Sequence, residues 1–265
     1  GIIARLKLED IRSVQPGYKG YFKKWWEDQE KLWGKDDPLE KELVNDVLEV
    51  LAMALGPMTF DDLRQVLPDQ VRSRALKRAI RPLNRFVIGD GKEQGFVFSH
   101  SRLSEYFRDN LEKDEQTIWR MRFLAWGGCV LDDLRKKLTD PYDVSQYLML
   151  YYSRHLEESN ADTETMLQLV SWEWMQSWYK KTGTYTGFLQ DVDRAWGKLR
   201  DVNKNAIERK ENAPYVGQEV LCALCYSSVN SLTTNIPADL LALLLQYDMW
   251  TEEQVIANVR QRITL

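Results

Sequence analysis

Between Arg85 and Phe98 the chain changes its period. Two brief β-type runs, Arg85-Phe-Val-Ile-Gly and Gly95-Phe-Val-Phe, flank the turn-forming stretch Asp90-Gly-Lys-Glu-Gln. Aromatic and β-branched residues on both sides of a glycine-bearing turn predict a hairpin. A lone two-stranded hairpin cannot hold itself together in water, so it has to lean on neighbouring helices. That requirement, more than any other, limits what residues 38–98 can fold into.

The helices on its N-terminal side are legible from spacing. Residues 18–34 suit a helix with Tyr21, Trp25, Leu32 and Trp33 near one face. Asp36-Asp-Pro38 opens the next, with proline in the first turn and an aspartate as cap. Leu39, Leu43, Val44, Val47, Leu48, Leu51 and Leu55 follow helical periodicity until Gly56-Pro57. Thr59, with Asp62 three residues on, predicts a capped short helix through Val66. Asp69 is the expected cap of a third helix that turns Val71, Ala75, Leu76, Ala79 and Ile80 inward. Three helices and a hairpin make the winged form of the helix-turn-helix.

Beyond Ser101 every segment suits helix, with breaks at Asp140-Pro141, Asn160, Gly183 and Ile236-Pro237. Helices are expected at 101–112, 115–135, 142–158, 163–169, 172–181, 186–201, 216–230, 237–247 and 251–262. The polar stretch 201–214 is expected to be a loop. The expected fold is therefore mostly α: a winged-helix domain with a small β-hairpin, then an all-α helical array leading into a repeat-like region. The expected domains are a helical linker over 1–37, the winged helix over 38–113, a helical domain over 114–204 and a helical-repeat-like segment over 205–265.

Charge and composition exclude several classes. A net charge of −4 gives no global basic field, which disfavours nucleic acid as a partner. No apolar run approaches a membrane span, and no secretory signal opens the chain. Cys129, Cys222 and Cys225 are too few for a disulfide framework, so a reduced cytoplasmic setting is expected. The chain opens on Gly1 rather than Met, which points to a piece of a longer protein.

Few residues carry candidate chemistry. His100 lies where the second β-run meets a helix. It is either a helix-start histidine satisfied by backbone or solvent, or an N–H donor to an anion held near free backbone N–H groups. Ser99 or Ser101 is the expected cap there. His155 sits mid-helix among aromatics and suits core packing, and two histidines argue against a histidine zinc site. Cys222 and Cys225 have C-x-x-C spacing inside an apolar helix, where two core cysteines are expected. The loop 89–95 lacks the G-x-x-x-x-G-K-[ST] pattern of a phosphate loop. Asp61/Asp62 and Asp132/Asp133 diverge on helices and suit solvated faces. Arg64, Arg72, Arg74, Lys77, Arg78 and Arg81 would charge a recognition helix. No catalytic set is recognisable, so the chain is not expected to be an enzyme.

Residues 51–63, the hairpin and residues 96–106 together resemble the winged-helix domain of STAND signalling ATPases, the NACHT and NB-ARC proteins. In that family a strand ends in a histidine that begins a helix, within Met-His-Asp. Here Ser99 and Ser101 replace the methionine and aspartate, and only His100 carries over. Residues 147–156, 167–175 and 183–193 resemble the helical domain that follows, and residues 227–241 with Trp250 resemble the lead-in to a C-terminal sensor. The resemblance implies that His100 contacts the β-phosphate of ADP bound by an ATPase domain upstream in the parent. It implies no cofactor in this chain, and ADP or ATP with Mg in the parent. The implied partners are that ATPase domain, a protein or other trigger ligand at the sensor, and further copies of the activated parent. Such a chain would couple ligand sensing to oligomerisation in immune or antiviral signalling. The alternative is a winged-helix DNA-binding regulator with a helical effector or dimerisation domain.

Overall fold

The computed structural model describes residue 20 and residues 38–68, 71–234, 236–247 and 249–263. The expected helix at 18–34 (apart from helical Gly20), the Asp36/Asp37 cap and Asp69 lie outside them. Among the described residues the chain is mostly α, with twelve α-helices and one two-stranded antiparallel sheet. It divides into two compact units, 1–122 and 123–265.

The first unit follows the expected order. Helix α1 (Pro38–Met53) buries Val44, Val47, Leu48 and Leu51. Helix α2 (Phe60–Val66) starts with a complete capping box: the Asp62 N–H donates to Thr59 Oγ1 at 3.2 Å, and the Thr59 N–H donates to Asp62 Oδ2 at 2.8 Å. Asp62 is therefore the buried third-position partner in the capping box of Thr59 rather than part of a solvated face. Helix α3 (Ser73–Ile80) turns Leu76, Ala79 and Ile80 inward. It begins later than expected: Arg72 occupies the cap position and no side-chain hydrogen bond caps the helix.

Strand β1 (Val87–Ile88) pairs antiparallel with β2 (Val97–Phe98), Val87 opposite Phe98 and Ile88 opposite Val97. A third segment joins them. Met58 and Phe96 exchange backbone hydrogen bonds of 3.0 and 2.6 Å, so the residues between α1 and α2 brace the hairpin. The wing turn depends on Gly91, whose φ of +69° favours glycine and whose missing Cβ leaves room for the Phe96 and Phe60 rings. Asp90 Oδ1 accepts from the Lys92 and Gln94 N–H groups at 2.8 and 2.9 Å and closes the turn. Helix α4 (Ser101–Asn110) follows directly, and α5 (Lys113–Arg135) begins three residues later.

The second unit takes up the latter part of α5. It continues with α6 (Gln146–Glu158), α7 (Thr163–Leu167), α8 (Trp172–Thr182), α9 (Thr186–Glu208), α10 (Val216–Thr234), α11 (Ala238–Gln246) and α12 (Glu252–Ile263). The expected loop at 201–214 is corrected. Helix α9 runs on to Glu208, because Asn203 and Ala206 are buried along its face. Asn203 also ties the returning chain down: its Oδ1 accepts from the Tyr215 N–H and its Nδ2 donates to Glu219, both at 2.8 Å. A polar composition hid these anchors.

Candidate functional site

The wing and α4 together fix His100. Its backbone is extended, at φ −148° and ψ 137°, while the Leu103 N–H already donates to its carbonyl at 2.9 Å. His100 is thus the N-cap of α4. The ring itself does the capping, with Nδ1 accepting from the Arg102 N–H at 3.1 Å. This corrects the expected cap at Ser99 or Ser101. The Ser99 N–H instead donates to the Phe86 carbonyl at 2.7 Å, extending the sheet up to the histidine.

That cap selects a tautomer. A neutral imidazole whose Nδ1 accepts must carry its proton on Nε2. The residue is exposed, so a donor is presented outward beside a helix N-terminus, whose backbone dipoles favour negative charge.

The platform beneath is anchored at both ends. Leu103 is buried, and Phe107 stacks on Phe98 of the wing with centroids 5.3 Å apart. At the far end, Arg108 donates from Nε and Nη2 to the Ala52 carbonyl at 2.9 and 2.7 Å. This charge-assisted pair satisfies an orphan carbonyl at the C-terminus of α1. Nothing in the spacing of Arg108 had marked it, since its partner lies 56 residues away.

Two further features of this unit have chemical character. A cavity of about 510 Å³ opens between α2, α3 and the wing turn, lined by Phe60, by the cations Arg64, Lys77 and Lys92 and by the carboxylates Asp61 and Glu93. His100 is not among its lining residues. The acidic side of α1 holds Asp46, whose carboxyl is pushed up to about 6 by burial and by neighbouring Glu42, against a smaller opposing pull from Arg122. Burial also raises Glu49, which accepts from Trp119 Nε1 at 2.8 Å.

The other candidates are structural. His155 is buried, stacks on Phe123 at 4.4 Å, and its Nε2 lies 2.8 Å from Tyr147 Oη. Cys222 is buried and Cys225 half-buried, and burial pushes the Cys222 thiol up to about 11, where it is a poor nucleophile. Asp132 is exposed and pairs with Lys136 at 2.7 Å. Sequence reading missed Asp191, which is buried and accepts from Trp174 and Trp178 Nε1 at 2.8 and 3.1 Å, with Arg194 3.6 Å away. Burial raises its carboxyl, while these donors and Ser153 oppose the shift. It acts as a polar clasp between α8 and α9.

Among the described residues no group of three or more His, Cys, Asp or Glu could hold a metal ion, and no helix is long and apolar enough to cross a membrane. Comparison with protein-family models, with curated proteins and with solved structures finds no match.

Proposed function

We propose that this chain is the regulatory and sensor-transducing region of a STAND ATPase, in which His100 latches an ADP-bound resting state. The observation that carries the reading is the cap at the wing–helix junction. It commits Nδ1 to the backbone and leaves the Nε2–H, on a rigid and exposed mount, to meet a phosphate oxygen. The ATPase core would be supplied upstream in the parent, and this chain itself would turn nothing over. The helical array would transmit a trigger from the C-terminal helices to the latch. Nucleotide and trigger would then bias one two-state element in opposite directions, with release permitting ADP/ATP exchange and assembly of the parent in the cytoplasm.

The test is His100→Ala in the full-length parent. The reading expects ADP to be lost during purification and basal signalling to rise. Unchanged ADP retention together with unchanged basal activity would remove the latch role.

A further inference from the structure

We propose that the exposed face of α3, with the wing turn beside it, seats the phosphate backbone of a nucleic-acid duplex. Arg74, Lys77, Arg78 and Arg81 are exposed and spaced i, i+3, i+4 and i+7. The first three stand on α3 and Arg81 caps its C-terminus, so together they form one stripe about 10 Å long opposite the face turned into the core. Exposed Arg72 precedes the stripe and Lys92 lies across the groove on the wing turn.

The charge at the start of this helix works against its stability. Like charges at i+3 and i+4 repel. The first turn holds no acidic residue, Arg72 stands at the cap position without a side-chain cap, and Arg74 opposes the helix dipole. Lys77 and Arg78 stand in the last turn, where the dipole favours cations, so only the N-terminal cations weaken the helix, and these suit an anionic partner. Net charge misses this, because it averages the stripe with the acidic residues of the chain, Glu42, Asp46 and Glu49 of α1 and Asp61 and Glu93 along the groove among them.

The face also lacks what a protein partner would need. Its exposed residues are cations and Ser73. The large exposed apolar residues described in this unit, Ile88, Ile118 and Met121, lie off α3. Protein interfaces centre on aromatic and apolar anchors, whereas nucleic-acid interfaces are polar and strongly positive. The groove of about 510 Å³ beside it is of mixed charge: Arg64, Lys77 and Lys92 line it with Asp61 and Glu93, and Arg64 lies 3.8 Å from Asp61, so the phosphate contacts fall to the helix stripe and Lys92.

The proposal is independent of the ADP latch and is tested on this chain by fluorescence anisotropy. The probes are labelled duplexes of DNA and of RNA of arbitrary sequence, with a poly-glutamate peptide for comparison. Four to five phosphate contacts would give a log–log salt slope of about −4, so affinity for DNA should fall roughly 200-fold between about 50 and about 200 mM salt. The triple variant Arg74→Glu, Lys77→Glu, Arg78→Glu should lose binding by at least about 100-fold, with a lower thermal midpoint because acidic residues at 77 and 78 oppose the dipole in the last turn. The milder pair Lys77→Ala, Arg81→Ala should lower the slope by about two, which keeps the test decisive should the triple variant fail to fold. His100→Ala should leave duplex binding unchanged. Salt-independent binding, a folded pair variant with undiminished affinity, or poly-glutamate bound as tightly as either duplex would overturn the proposal. The last result would identify an acidic protein surface as the partner.

Discussion

At the scale of single residues, His100 has two separable jobs. As a cap it satisfies one backbone N–H; as a proposed latch it donates from the opposite ring nitrogen. Asparagine accepts the same backbone N–H from a shorter side chain and lacks the outward reach. His100→Asn should therefore unfold within a few tenths of a kcal/mol of the native chain, while His100→Ala should lose about 1 kcal/mol, as cap removal commonly does. Urea unfolding of both variants checks this. If His100→Asn destabilises as much as His100→Ala, the ring is not serving as a replaceable cap. Asp46 gives a second residue-level expectation. Its folded pKa of about 6 lies above the ordinary 3.8, so its contribution to stability is fully present below about 4 and is lost as pH rises through about 6. Asp46→Asn should raise the thermal midpoint more at pH 7 than at pH 5. An equal shift at both pH values would contradict the raised carboxyl.

At the scale of elements, the wing is set by its turn. Gly91→Ala puts a Cβ into the Phe60 and Phe96 rings at a backbone angle that L residues resist. A loss of about 1–3 kcal/mol is expected, seen as a lower urea midpoint and faster amide exchange at Val97 and Phe98. Native-like exchange at those strand residues would show that the turn tolerates repacking. The hairpin, the Thr59 capping box and most helix positions were legible because each is a local pattern: a period, a cap spacing or a turn glycine. What escaped was long-range. The Met58–Phe96 pairing joins residues of ordinary propensity, and Arg108 reaches a carbonyl that no spacing rule reveals. The continuation of α9 escaped for a related reason. Asn203 looks like a loop residue until the backbone and side chain it binds are known. Serine is the common N-cap, so the sequence points to Ser99 or Ser101 at the start of α4, whereas the imidazole of His100 fills that position itself.

At the scale of the whole molecule, a net charge of −4 conceals a cationic helix face in the first unit. The mean charge of a chain therefore says little about what one face attracts. The second unit contributes helices α10 and α11 whose Val220, Leu224, Leu240 and Leu243 are exposed, at the end where the sensor is proposed. The latch proposed for His100 is a property of the whole parent molecule. It is tested most directly by the nucleotide content of the purified full-length parent, wild type against His100→Asn, the variant that retains the cap. ADP should stay with the wild type and be largely lost from the variant at equal thermal stability. Equal ADP content in the two proteins would contradict it.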